Sequence, residues 1–143
     1  MMQYVCDAPP MTWFRIETAA EAALESQAMD HAVERYFRQA HEHAAQSYVP
    51  PRTGLYVEQS IGRKAHIQRT MPLFLTLRDR EGKALVTAML PPEGKAASSF
   101  RPIIVGHSNQ DPYPEFGDAI HTLGDHFGLS LDPARCYPYR RDL

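Results

Sequence analysis

Cysteine is nearly absent: Cys6 and Cys136 are the only two in 143 residues, and they stand near opposite ends of the chain. The lack of Cys-x-x-Cys spacing argues against a zinc knuckle or a redox pair, and the two are expected as free thiols of a reducing compartment, with a bridge joining the termini as the alternative. No apolar run approaches the roughly 18 residues a membrane span needs. The first twenty residues lack a basic start and an uninterrupted apolar stretch, so they do not read as a secretory signal, and a cytoplasmic location is expected. Also missing are the phosphate-cradling Gly-x-x-x-x-Gly-Lys, the His-Glu-x-x-His pair, Gly-x-Ser-x-Gly and the dinucleotide fingerprint. Enzyme classes with short signatures are thereby disfavoured, and no cofactor is implied.

What is present suits one ordered domain over residues 1–143. A chain of this length buries roughly 70% of its unfolded surface around one core. The hydrophobic share of 43% and charged share of 22% are those of ordinary globular proteins. The net charge of −2 conceals an uneven spread: 3 basic against 7 acidic groups in 1–49, 9 against 4 in 50–106, and 3 against 6 in 107–143.

Thr18-Ala19-Ala20-Glu21 has the pattern of a capping box, which predicts a helix start. Leu24, Ala28, Ala32, Val33, Tyr36, Phe37, Ala40 and Ala44 then recur at three- and four-residue steps, one apolar stripe. Glu34 lies one turn before Arg38, a helix-supporting pair. A helix over 18–47 would be about 45 Å long, whereas a compact domain of this size is about 37 Å across. A break near His41-Glu42-His43 is therefore expected, with dimerisation through a projecting end as the alternative. Six strands are predicted: 13–17, 55–61, 65–70, 73–79, 84–90 and 100–106. The third and fourth of the last five flank Arg80-Glu81-Gly82-Lys83 and should form a hairpin. Leu73, Leu75 and Leu77 share a face taken as buried, opposite a partly wet one. Ile103-Ile104-Val105, apolar on both faces, suits a central strand. A closing helix carries Phe116, Ala119, Ile120, Leu123 and Phe127 on one side, with Pro114 in its first turn and Gly128 at its end. The architecture is α+β: an antiparallel sheet of four to five strands, with a long N-terminal helix and a C-terminal helix packed on one face.

Several constellations carry chemistry. Asp118, His121 and Asp125 recur at helical spacing, but a solvated helix face has the same composition, so no metal site is assigned. His41 and His43 point about 200° apart on a helix and do not share an ion there. Gly117 and Gly124 share a side of the last helix and suggest close backbone packing. The loop of residues 105–115 leaves an apolar strand and enters a helix, a placement where sites concentrate. His107 as acid or base, Ser108 as donor or weak nucleophile, Asn109 as hydrogen-bonder and Asp111 are its candidate ligand-binding residues, with His121 nearby. The plainer account is that Ser108, Asn109 and Asp111 make a turn and cap the helix.

The favoured function is a small intracellular binding or accessory protein acting through a protein partner, possibly a second copy of itself. Trp13, Tyr48, Tyr113 and the Cys136–Tyr139 segment are the candidate aromatic anchors. One alternative is a small enzyme centred on His107–Asp111 and His121. Another is a nucleic-acid binder using Arg52, Arg63, Lys64, Arg69, Arg78 and Arg101 on strands with Tyr56 and His66; a pI near 6.4 speaks against it.

Overall fold

Leu73, Leu75 and Leu77 alternate with Phe74 and Thr76 along one strand, and all five side chains are buried. Such a strand needs a layer on each of its faces, and the chain supplies both. A computed structural model of the protein describes residues 2–52, 56–93 and 101–137; Leu55, Phe100 and Tyr139, which fall in the predicted strands and aromatic segment, lie outside them. The elements are β1 (Gln3–Ala8), β2 (Met11–Arg15), α1 (Ala19–Met29), α2 (Val33–Gln46), α3 (Tyr56–Thr70), β3 (Leu73–Arg78), β4 (Ala84–Leu90), β5 (Ile103–Val105), a 3-10 turn (His107–Asn109) and α4 (Tyr113–Phe127). The class is α+β, with one five-stranded antiparallel sheet in the order β1-β2-β3-β4-β5.

The helices lie on opposite faces of this sheet, not on one. Leu73, Leu75, Leu77, Val86, Ala88 and Ile104 pack with Ala119, Ile120 and Leu123 of α4. Phe74 packs instead with Ala22, Val33, Phe37, Ala44, Ile67 and Met71 from α1, α2, α3 and the turn after it. The face of β3 expected to be partly wet is thus covered as well.

Three further expectations are corrected. The N-terminal helix breaks at Asp30–Ala32 rather than at His41-Glu42-His43, which stays helical and exposed. Asp30 takes the left-handed conformation (φ 54°) and closes α1 through its N–H to the Ser26 carbonyl. The Ser26 hydroxyl then accepts from the Glu34 amide at 2.8 Å, and His31 Nδ1 accepts from the Val33 amide at 3.4 Å, so the break supplies acceptors for the free N–H groups that open α2. Because the two helices phase independently, α1 buries Ala22, Glu25 and Met29, while Leu24, placed in the apolar stripe, is 65% exposed.

Residues 56–61 and 65–70 are not strands. The described part of this stretch is α3, which buries Ile67 and leaves Ile61 exposed, and Gly62 within it lets the Tyr48 ring approach: a Cβ there would lie 2.7 Å from the Tyr48 hydroxyl. The sheet reaches five strands through β1, whose hairpin with β2 turns at Pro9-Pro10. Finally, β5 is an edge strand in the sheet order; Tyr137 covers it by a bridge to Ile103, with the Ile104 amide donating to the Tyr137 carbonyl at 2.8 Å.

Other expectations stand. Thr18 and Glu21 form the reciprocal capping box, Glu34 pairs with Arg38 at 2.8 Å, and Gly128 ends α4 at φ 69°. Gly124 is needed because a Cβ would meet the Leu129 carbonyl at 2.7 Å, whereas Gly117 has open space around it. The capping box gives a direct check: Thr18→Ala is expected to lower stability by about 0.5–2 kcal/mol, read by chemical denaturation.

Candidate functional site

Asp30, Ser108 and Asn109 are the non-glycine residues with positive φ among the described residues, at 54°, 54° and 60°. Asp and Asn enter this region readily, whereas Ser108 does so at a cost of about 1–2 kcal/mol. All three meet at one place, where the α1–α2 break touches the loop that follows β5. The Ser108 hydroxyl donates to Asp30 Oδ2 at 2.6 Å and lies 3.1 Å from His107 Nδ1. The loop is tied internally as well: the Gly106 amide donates to the Gln110 carbonyl at 2.7 Å, and the Asn109 and Gln110 amides donate to the Gly106 and His107 carbonyls at 3.1 Å. Residues 107–110 are all exposed, so this is a rigid polar ridge.

Beneath the ridge runs a buried polar chain. Glu25 is fully buried and accepts from Arg78 Nη2 at 2.6 Å and from the Thr87 hydroxyl. Thr87 Oγ1 is also 2.9 Å from His31 Nε2. Since the hydroxyl hydrogen goes to Glu25, Nε2 must carry the proton and donate. His31 Nδ1 faces the Val33 amide, so the ring is the neutral Nε2–H tautomer. Burial pushes the His31 pKa below its usual 6.5; Glu25 and Asp30 oppose that shift and His107 adds to it. Arg78 is held on its remaining sides by Thr76 Oγ1 and the Gly82 carbonyl, both at 3.0 Å.

Two concavities flank the ridge. One is an apolar slot of about 50 Å³ walled by Val33, Tyr36, Phe74, Met89 and Val105, with His31, Thr87 and Asn109 at its polar end. The other is a cleft of about 410 Å³ with a mixed lining, Arg78, Lys83, His107 and Asp111 beside Leu85 and Phe116. Their volumes set what they accept. The slot has the capacity of a few water molecules, roughly one aliphatic side chain, and the cleft is of small-ligand size.

The candidate residues separate accordingly. His107, Ser108, Asn109 and Asp111 come together, Asp111 also accepting from the Tyr113 amide at 3.2 Å at the start of α4. His121 does not join them; it is exposed on α4 with Asp118 and Asp125 and lines neither concavity. Among the described residues no group of three or more His, Cys, Asp or Glu side chains could hold a metal ion. The aromatic anchors are mostly committed to the fold: Trp13 is fully buried with Nε1 donating to the Ala119 carbonyl at 2.9 Å, Tyr113 donates to the Leu131 carbonyl at 2.9 Å, and Tyr48 tilts against His66. Cys136 is buried, Cys6 half-buried, and both are free thiols. Of the basic residues expected on strands for nucleic acid, Arg63, Lys64 and Arg69 belong to α3, while Arg78 is on β3 and is paired with Glu25. No helix among the described residues is long and apolar enough to cross a membrane.

Sequence reasoning finds the ridge but misses Asp30, His31, Glu25 and Thr87. The available signal is Asp30-His31 interrupting an otherwise continuous apolar stripe. Compared with family models, curated proteins and solved structures, the chain has no match.

Proposed function

We propose that the chain is a small intracellular binding or accessory protein that engages a protein partner through the ridge at residues 107–110, with the slot beside it receiving one apolar side chain. The observation that carries this reading is the concentration of the left-handed residues Asp30, Ser108 and Asn109 at one exposed junction. Backbone strain of this kind persists where the surroundings over-determine it, and it clusters at functional sites. A ridge already fixed in shape loses little freedom on association, and an apolar pocket with a polar rim is how interfaces concentrate affinity. Two unpaired thiols accord with a reducing compartment.

The test is retention of a partner from the native host by the immobilised protein. His107→Ala with Asn109→Ala should reduce retention at least tenfold without changing the melting temperature, while Asp118→Ala on the far helix face should leave it intact. Equal retention by the ridge variant would remove the ridge from the contact.

A second reading, a small hydrolytic enzyme, is favoured by one observation: Ser108 Oγ within hydrogen-bond reach of both a carboxylate and an imidazole. Its hydroxyl proton points to Asp30 rather than to His107, which is the wrong arrangement for His107 to serve as base. Absence of Ser108 labelling by a fluorophosphonate ends that reading.

A further inference from the structure

Away from the ridge, three elements meet around the residues that follow β2, and each brings a basic side chain. Arg15 at the end of β2, His41 on α2 and Lys64 on α3 line one cavity of about 90 Å³, and none of its described lining residues belongs to the slot or the cleft beside the ridge. Ile16, Phe37, Ile67 and Met71, all buried, form its floor.

Like charges gathered in one place repel, and the cost falls when a group of opposite sign joins them. Arg15 spends one bond on the fold: Nη2 donates to the Gln68 carbonyl at 3.4 Å, one of the carbonyls that the end of α3 leaves without a helical partner. Neither Arg15 nor Lys64 has an ion-pair partner among the described residues. His41 is stacked on Phe37, ring centroids 6.4 Å apart, and carries a ring N–H in either tautomer. Among the described lining residues Glu17 is the only carboxylate, and it lies outside ion-pair range of both cations. The cavity therefore has an excess of positive charge over an apolar floor.

We propose that Arg15, His41 and Lys64 form a binding site for a small organic carboxylate, its head held by the basic groups and its short hydrocarbon stem laid on Phe37, Ile67 and Met71. This goes beyond the partner-binding reading and does not rest on it. The planar fork of Arg15 matches a carboxylate with two parallel hydrogen bonds. The apolar floor rewards a stem and gives nothing to a bare inorganic anion. At roughly 30 Å³ per water the cavity equals about three water molecules, room for a carboxylate with a stem of about two or three carbons. A wider groove of about 600 Å³ continues from it, sharing Glu17, Phe37 and His41 and adding Glu42, while Arg38 there is already paired with Glu34. Two carboxylates along that groove oppose a second negative charge on the ligand, so the site takes a monocarboxylate.

A nuclear magnetic resonance titration of the full chain with sodium butyrate at constant ionic strength tests the site. The amides of Arg15, His41, Lys64 and Ile67 should shift saturably in the millimolar range, and those of Ser108 and Asn109 should stay still. Propionate and butyrate should bind progressively more tightly than acetate, by roughly fourfold per methylene, and inorganic phosphate should bind more weakly than butyrate. Lys64→Met and Arg15→Gln should each weaken butyrate about tenfold, the loss of a hydrogen bond between charged groups. Glu17→Gln should tighten it, because the competing carboxylate is gone, and a gain of binding cannot come from a damaged fold. The site is overturned if butyrate gives no saturable shift, if phosphate binds as tightly, or if either Glu17→Gln or Lys64→Met binds as the wild type does. Tighter binding of N-acetylalanine than of butyrate would assign the site to a chain terminus and overturn the free acid. Because the ridge takes no part, the retention assay and this titration can fail independently.

Discussion

Glu25→Ala is expected to destabilise the fold by about 3–5 kcal/mol, measured by urea denaturation, because it strands a guanidinium beside the sheet. The Arg78 side chain is only 18% exposed and Glu25 is fully buried, so water replaces the lost carboxylate poorly. Thr87 loses its acceptor at the same time, and a buried hydroxyl without a partner adds a further penalty. Glu25→Gln keeps an acceptor for Arg78 and should cost much less. Replacing both charges, Glu25→Leu with Arg78→Met, should recover most of the loss, since exchanging an entire buried ion pair for packed hydrocarbon is often neutral or better. A double variant no more stable than Glu25→Ala would mean that the damage lies in packing and not in the uncompensated cation.

Trp13→Ala should be as severe, about 3–5 kcal/mol, or a melting temperature lower by roughly 10–17 °C for a chain of this length. The indole is fully buried between β2 and α4 and donates to the Ala119 carbonyl at 2.9 Å across 106 residues of sequence. It therefore ties the first part of the chain to the last helix. Trp13→Phe separates its two contributions: most of the ring volume remains, and only the loss of the hydrogen bond, about 1–3 kcal/mol, is expected. If Trp13→Phe proves as damaging as Trp13→Ala, the stability that the indole supplies comes chiefly from its hydrogen bond and not from its packing.

How much of this is legible in the letters depends on how local each signal is. The capping box at Thr18, the Glu34–Arg38 pair, the hairpin about Arg80–Lys83, the apolar face of α4 and its Gly128 ending are each decided within a few residues, and each is present as expected. The segment at 55–70 is misleading because two short runs with scattered apolar residues fit a strand or a helix equally, and a mid-helix glycine looks like a turn until Tyr48 is seen against it. The second helical layer is invisible for a related reason. Phe74 and Thr76 alternate with leucines in a pattern that a half-buried strand also shows, and the packing of Phe37, Ile67 and Met71 with Phe74 reveals that both faces are covered.

The site is half legible. His107–Asp111 stands out because polar residues cluster between an apolar strand and a helix, and the structure does bring His107, Ser108, Asn109 and Asp111 together. Glu25 reads as one more polar position on a helix; its partners Arg78 and Thr87 lie 53 and 62 residues further on, beyond any window of local pattern. His121 is suggested by helical spacing alone, which places side chains along α4 but says nothing about which way the opposite loop faces.

The insertion of α1, α2 and α3 between β2 and β3 also fixes an order of events during synthesis. Arg15 pairs with Leu75 and Thr12 with Arg78, so β2 waits for about sixty further residues before its neighbour exists. At ordinary translation rates that is a delay of roughly 3–12 s. During it the first hairpin presents a raw flank on the ribosome, the stage at which the nascent chain is most exposed to mispairing.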